Sequence, residues 1–274
     1  MLDVDPGVLV NDDAWQTELG VVEAVEPEPV LPSEGRWASG IEASLVLDFR
    51  DDAANATRGG LGAVSLRVND DLVSDIAFVK ADGSWTQLVP AAGLGLVLRL
   101  RGGVAIVPNE GVNLPVEDRF RAGGGGSFRG FDIDQIGPAN YVGAERVAWP
   151  DALQPLLDYS QREAAGRWVT TGGDAMAVGT VELNVPFSKL GLPGWSVWQV
   201  ALFADVGNVW WLTPAVTTDS EGRGTDPLVR LGTGIGIRRS TPIGPLQLDL
   251  GFNPMPLDYR QEPALRVHFA VGAI

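Results

Sequence analysis

The side chains that most often carry catalysis or bind metals are scarce in this sequence. It contains no cysteine and a single histidine, His268. Thiol chemistry, disulfides and cysteine-ligated zinc are therefore excluded, and histidine-based metal sites nearly so. No Gly-x-Ser-x-Gly motif accompanies His268, so a serine nucleophile with a histidine base is not indicated. The sequence predicts no enzyme, no metal site and no cofactor.

Two glycine-rich segments have a superficial likeness to nucleotide-binding loops. The segment 122–130 lacks the Gly-Lys-Ser/Thr ending of a phosphate-binding loop. The segment 232–236 has glycine at alternate positions, which continues a strand, whereas a dinucleotide fingerprint opens a helix. We therefore expect no nucleotide at either segment.

The charge balance argues against a nucleic-acid partner. The chain has 35 acidic and 20 basic residues, a formal net charge of −15. Binding to a phosphate backbone depends on neutralisation by Lys and Arg, which this composition opposes. No nucleic acid is expected as a partner.

Alternation of apolar and polar residues with a period of two dominates the chain after Trp37. In segment 94–104, leucines at alternate positions oppose Arg99 and Arg101, which is typical of a strand with one apolar face. The pattern predicts an all-β fold of about nine strands, at 41–50, 62–69, 77–89, 94–104, 176–185, 197–207, 229–238, 246–252 and 265–273.

Short turns and long loops alternate between these predicted strands, with Pro108 to Gly173 the longest. Such asymmetry is typical of an antiparallel transmembrane β-barrel. No apolar run approaches the roughly 18 residues of a membrane-spanning helix. Periodicity alone leaves a second reading equally open, a soluble β-barrel or sandwich that binds a small ligand, because alternation does not show whether lipid or core covers the apolar face.

The first 36 residues differ in composition from the remainder. Residues 1–36 are acidic and proline-rich, with Glu-Pro-Glu-Pro-Val-Leu-Pro at 26–32, which predicts a linker or loop with at most one weak strand at 15–25. No basic segment followed by an apolar one adjoins Met1, so no secretory signal is visible. We expect 1–36 to be a linker and 37–274 to be the C-terminal portion of a barrel.

The long loop at 108–173 carries a motif that resembles a known family. Residues 121–132 read Arg-Ala-Gly-Gly-Gly-Gly-Ser-Phe-Arg-Gly-Phe-Asp. This segment resembles the sixth extracellular loop of the bacterial surface antigen barrels, the BamA-like and TamA-like outer-membrane assembly factors. In that family the loop folds into the lumen and has an Arg-Gly-Phe or Arg-Gly-Tyr tip. Further matches follow in family order, at 57–59, 172–182, 203–210 and 238–250.

The resemblance implies that the loop tip is fastened to the inner wall of the barrel. Arg129 would enter the lumen, where Glu182 and Asp205 lie on the polar faces of two successive predicted strands. The planar fork of a guanidinium suits pairing with two carboxylates. The predicted latch comprises Arg129, Gly130, Phe131, Glu182, Asp205 and Gly207. The predicted strands would direct their apolar faces outward and their polar faces into the lumen.

The resemblance also implies a gate strand and missing strands. Family members have about sixteen strands and periplasmic POTRA domains, whereas we predict about nine strands and no POTRA segment. An open sheet leaves unpaired backbone groups in hydrocarbon, so N-terminal strands or a POTRA-bearing portion are expected from upstream sequence, a partner or a second copy. The last predicted strand would form the gate, with Leu265, Val267, Phe269, Val271 and Ile274.

The function implied by the resemblance is non-enzymatic. The chain would be an outer-membrane assembly or translocation factor that assists insertion or export of β-barrel clients. Its partners would be outer-membrane lipids and unfolded clients, and its location the cell outer membrane. A passive outer-membrane pore or anchor is the remaining alternative.

Overall fold

The computed structural model of the chain describes residues 37–108, 114–142, 167–192, 197–212, 229–242 and 244–271. The predicted linker 1–36 and Ile274 of the predicted gate strand lie outside these ranges. The helical elements within them are short 3-10 turns at Phe187–Leu190 and Asp258–Arg260. Nowhere in the described ranges is a helix long and apolar enough to cross a membrane.

Antiparallel strands make up most of the described chain. In order they are β1 (Gly40–Asp48), β2 (Gly59–Asn69), β3 (Phe78–Ala91), β4 (Leu94–Ile106), β5 (Ala139–Val142), β6 (Arg167–Thr170), β7 (Ala175–Pro186), β8 (Trp198–Trp210), β9 (Arg230–Arg239), β10 (Leu246–Phe252) and β11 (Leu265–Val271). Nine of them form one sheet in the order β1-β2-β3-β4-β7-β8-β9-β10-β11, while β5 and β6 pair separately. The all-β class and the nine predicted strands are confirmed.

The long loop is an insertion between two strands that are neighbours in the sheet. Strand β4 pairs directly with β7, for example Leu96 with Leu183. The chain therefore leaves the sheet after Ile106 and returns beside the strand that it left. The β5–β6 pair, which we did not predict, lies within this excursion. Within the described part of the chain, β1 and β11 each pair on one side only, so the sheet forms a portion of a barrel wall.

The two faces of the sheet differ sharply in chemistry. Apolar residues cover the outer face; Leu100 is 64% exposed and Val267 is 68% exposed. Charged residues on the inner face, such as Glu182 and Asp205, are buried. A soluble protein buries apolar side chains and exposes charged ones, whereas a membrane barrel carries its apolar band outward. The outer face therefore faces lipid, and the soluble alternative is wrong.

The buried core lies inside the curved sheet and is built largely by the long loop. Loop residues Phe120, Phe128, Phe131 and Ile136 belong to one apolar cluster with wall residues such as Phe78. The wall members lie near the strand ends that carry the longer loops: Ile76, Phe78, Ala105, Met176, Val178 and Val209. The lumen is thus layered, since this apolar layer adjoins a charged one. The sequence predicts a polar lumen, and the apolar layer is an addition to it.

Candidate functional site

Arg129 at the tip of the long loop makes a two-pronged contact with Asp205 on β8. Its Nε donates to Asp205 Oδ2 at 3.0 Å and its Nη2 donates to Oδ1 at 2.9 Å. The backbone N–H of Arg129 also donates to Oδ2, at 2.8 Å. Thr180 of β7 donates its hydroxyl to Oδ1 at 2.8 Å. This carboxylate therefore holds both the side chain and the backbone of the loop tip.

A second carboxylate joins the contact and extends it into a network. Arg129 Nη1 donates to Glu182 Oε2 at 2.5 Å. Arg238 of β9 donates Nη2 to the same oxygen at 2.9 Å and Nη1 to Asp249 of β10 at 2.5 Å. Arg129 itself lies 3.8 Å from Asp249. Charged groups from the long loop and from strands β7, β8, β9 and β10 therefore balance one another in the lumen.

An aromatic ring and burial reinforce the network. The guanidinium of Arg129 lies over the ring of Phe203, 3.5 Å from its centroid, in a cation–π contact. The side chains of Arg129, Glu182 and Asp205 are at most 5% exposed. Buried charges need partners of this kind, because an unpaired one would carry its full desolvation cost.

The loop tip fits the wall only where the wall has glycine. A Cβ on Gly232 of β9 would meet the carbonyl oxygen of Arg129, and one on Gly251 of β10 would meet the N–H of Gly130. Gly130 itself has a φ of 91°, a conformation that glycine adopts without steric cost. Of the alternating glycines that resembled a nucleotide motif, Gly232 thus makes room for the loop, whereas Gly234 and Gly236 lie against side chains and backbone of the neighbouring strands.

Phe131 lies in the apolar layer beside a second buried ion pair. Its ring packs edge-on against Phe128 with centroids 5.2 Å apart, and Arg230 lies over it at 4.9 Å. Arg230 is paired with Glu262 of the β10–β11 loop. The Glu262 carboxylate also accepts from Asn253 at 3.2 Å. This pair joins the start of β9, the loop tip and the last connecting loop.

The loop tip also contacts β11, through the inward-facing side chains of that strand. The N–H of Gly130 donates to His268 Nε2 at 3.3 Å, and Asp132 pairs with Arg266. The predicted gate residues of β11 lie on the other face, where they are exposed: Leu265, Val267, Phe269 and Val271. The sequence prediction for this strand names only outward-facing residues and omits Arg266 and His268.

The first part of the loop is fastened to the opposite side of the sheet. Asp118 accepts from Arg67 of β2 at 2.8 Å, and Lys80 of β3 donates to its backbone carbonyl at 2.6 Å. Lys80 also lies over the ring of Phe120, 4.7 Å from its centroid. The described loop therefore reaches from β2 and β3 to β11 across the inside of the wall.

The structure brings Arg129, Glu182 and Asp205 together and places Gly130 and Phe131 beside them. Gly207 lies two residues along β8, where a Cβ would meet the backbone of Ala177. Its neighbours are backbone atoms of β7, so it contributes to strand packing rather than to the guanidinium network. The functional role of the whole set stays a prediction.

Three further residues of the network were not singled out from the sequence: Thr180, Arg238 and Asp249. All three occupy polar positions in alternating strands, so the inward polar face was the signal that could have found them.

The network holds the loop against the wall through ion pairs and hydrogen bonds. Among the described residues, no group of three or more metal-ligating side chains is arranged to hold a metal ion.

This geometry defines a class of protein: an outer-membrane β-barrel wall with a long loop folded inward and latched to it. Residues 23–274 match the family described as the Omp85 superfamily domain. The chain belongs to the Omp85 superfamily, and the resemblance inferred from the loop motif is confirmed.

Several relatives support this membership. The sorting and assembly machinery component 50 homolog of Bos taurus is 32% identical over 152 residues, 52% of this chain and 31% of the relative. That of Mus musculus is 28% identical over 146 residues, with 52% and 31% covered. The match spans about a third of the length of these relatives.

A solved structure shares the fold. The crystal structure of BamA from Haemophilus ducreyi lacking POTRA domains 1-3 superposes with a TM-score of 0.62 at 18% sequence identity. The match covers 85% of this chain and 41% of that one. At this identity the likeness shows the fold alone.

Proposed function

We propose that this chain forms the C-terminal wall of an outer-membrane barrel, in the cell outer membrane, that assists insertion or export of β-barrel clients. The observation that carries the proposal is the latched loop. Its Arg129 pairs with Asp205 and Glu182, and the backbone N–H of the next residue, Gly130, contacts His268 of β11. The names of the relatives, which refer to sorting and assembly, support it.

In this proposal β11 receives the client. Its outer edge has no paired strand among the described residues, so its backbone N–H and C=O groups are available for strand addition. An unfolded client strand would pair there while the latched loop keeps the inner wall in shape. In the completed barrel, strands from outside the described residues would face this edge, and lipids would contact the apolar band.

The proposed action is mechanical and electrostatic, without covalent chemistry. Binding of a strand to β11 supplies backbone hydrogen bonds that the client lacks in hydrocarbon. Because Gly130 and Asp132 contact β11 from inside, the loop fixes the position of the strand that must pair. A pore or anchor without this activity would not require that contact.

Site-specific photo-crosslinking in the native outer membrane tests the proposal. A photoreactive residue at Phe269 on β11 should crosslink to newly made β-barrel clients. The same residue at Leu202, on the lipid face of the interior strand β8, is the matched control and should not. Equal crosslinking at both positions would contradict strand capture by β11.

Client assembly provides the second readout. Arg129→Ala should lower the yield of folded, heat-modifiable clients severalfold at equal membrane levels of the variant chain. Arg58→Ala, at an exposed arginine of the β1–β2 turn, is the control and should leave the yield of folded clients unchanged. Unchanged client assembly in Arg129→Ala would favour the passive pore or anchor.

A further inference from the structure

A second group of arginines lies in the lumen outside the latch. Arg99 and Arg101 occupy alternate positions of β4 and face inward, opposite Thr86 and Ser84 of β3 in the strand register. Together with the turn Gly125–Ser127 of the long loop they line a cavity of about 270 Å³, which borders the latch at Arg129 and Thr180. No carboxylate is among the described residues that line this cavity. The cavity is therefore electropositive in a chain whose net charge is −15.

The two arginines have unused hydrogen-bonding capacity. The carboxylate nearest Arg99 is Glu182, at 3.8 Å. That carboxylate already accepts hydrogen bonds from Arg129 at 2.5 Å and Arg238 at 2.9 Å. Within the described ranges no carboxylate lies within 4.0 Å of Arg101. A guanidinium has five N–H donors, so this pair presents charged donors to whatever enters the cavity.

The far wall of the cavity is next to the strand edge that we assign to client binding. Ala270 of β11 and Gln247 of β10 line it. Ala270 alternates with exposed Phe269 and Val271 and so faces inward. Because its side chain is small, the cavity extends to β11. A strand added there would lie about 5 Å from β11 and would direct alternate side chains into the same lumen.

We propose that Arg99 and Arg101 form a subsite for the carboxylate of an acidic side chain on the inward face of a client strand paired with β11. This inference rests on the function proposed above and adds a substrate feature to it. Guanidinium groups pair well with carboxylates, and the hydroxyls of Ser84 and Thr86 would supply further polar contacts. The cavity has room for one such side chain and not for a folded element.

Two synthetic peptides test this subsite. Each is a ten-residue, end-capped strand of alternating Thr and Val, with either Glu or Gln at one central Thr position. Binding to the full chain in detergent micelles is measured by fluorescence anisotropy, and a photoreactive residue at Val267 reports contact with β11. We expect the Glu peptide to bind at least about tenfold more tightly than the Gln peptide, as for a hydrogen-bonded charged group.

The variant Arg99→Gln/Arg101→Gln should abolish this preference, and crosslinking of the Gln peptide at Val267 in the variant shows that its β11 edge is folded. Arg58→Gln is the control and should keep the preference. Equal binding of both peptides to the wild type, with crosslinking at Val267, would overturn the subsite and leave the proposed function standing. A Glu preference that persists in the double variant would overturn it as well. Absence of crosslinking with either peptide would count against the proposed function itself.

Discussion

Arg129 links the loop tip to the charged network of the lumen. It contacts carboxylates on β7 and β8, the ring of Phe203 and, through its backbone, Asp205 again. A lysine could satisfy one of these carboxylates, but it lacks the planar fork that serves both. The identity of this residue, and not only its charge, should therefore matter.

Truncation of Arg129 tests this reasoning. Arg129→Ala leaves two buried carboxylates short of a partner and should reduce the free energy of unfolding by roughly 3 to 5 kcal/mol. Arg129→Lys should lose less, because the charge stays. Thermal and urea unfolding in detergent micelles measures both, with Arg58→Ala as the exposed control. A loss equal to that of the control would show that the network does not stabilise the fold.

Glycine at position 232 tests the seat of the loop tip. In Gly232→Ala the new methyl group would meet the carbonyl oxygen of Arg129, so the tip should be displaced and residues 123–131 should exchange amide hydrogens faster. The matched control is Gly126→Ala, since a Cβ on Gly126 has no atom within 4 Å. Equal exchange in the two variants would mean that the tip is not held against β9.

At the scale of elements, period-two alternation sufficed to predict the nine strands of the sheet. It failed for β5 and β6, because each is only four residues long and their pairing depends on the fold of the loop. Alternation also placed Glu182 and Asp205 on one face, since that follows from residue parity. It could not show that Arg238 and Asp249 reach the same site, because this depends on sheet curvature and on the loop entering between the strands.

The turn between β1 and β2 is an element held by one carboxylate. Asp51 accepts from the backbone N–H groups of Thr57 and Arg58 at 2.8 and 3.1 Å and from the Thr57 hydroxyl at 2.6 Å. Asn55 of the same turn donates to the Thr241 carbonyl at 2.9 Å. A hydrogen bond therefore links this turn to the β9–β10 connection.

The order of this turn should depend on pH. The hydrogen bonds from Thr57 and then Arg58 hold the pKa of Asp51 well below its usual value of roughly 4. Because the folded pKa is the lower one, the contribution is complete above the usual value and is lost as the pH falls through the lowered pKa. Amide exchange at Thr57 and Arg58 should therefore accelerate in strong acid.

Two variants check the assignment to Asp51. In Asp51→Asn the amides of Thr57 and Arg58 should exchange faster than in the wild type and without the acid-dependent step, because the amide has one accepting oxygen and no charge in place of the two carboxylate oxygens. Asp71→Asn, at an exposed carboxylate in the β2–β3 connection, should behave as the wild type. A pH profile unaltered by Asp51→Asn would assign the dependence to another group.

At the scale of the whole molecule, the loop and the wall form one layered interior. Asp118 fastens the loop to β2 and β3, the Arg129 network fastens it to β7 and β8, and Asp132 fastens it to β11. These contacts reach from β2 to β11, the last strand of the described sheet. The loop thus opposes flattening of the wall, which hydrogen bonds between neighbouring strands alone would not prevent.

The orientation of the sheet in lipid gives a test on two adjacent residues. Leu248 of β10 faces outward and is 49% exposed, whereas Gln247 faces the lumen and lines its cavities. An arginine on the lipid face costs about 2 to 4 kcal/mol near the bilayer midplane, and much less in an aqueous lumen. Leu248→Arg should therefore lower the fraction of chain that resists alkaline extraction from membranes, and Gln247→Arg should not. Equal effects, or a larger loss for Gln247→Arg, would contradict the assignment of the two faces, because one-residue parity is all that distinguishes these positions.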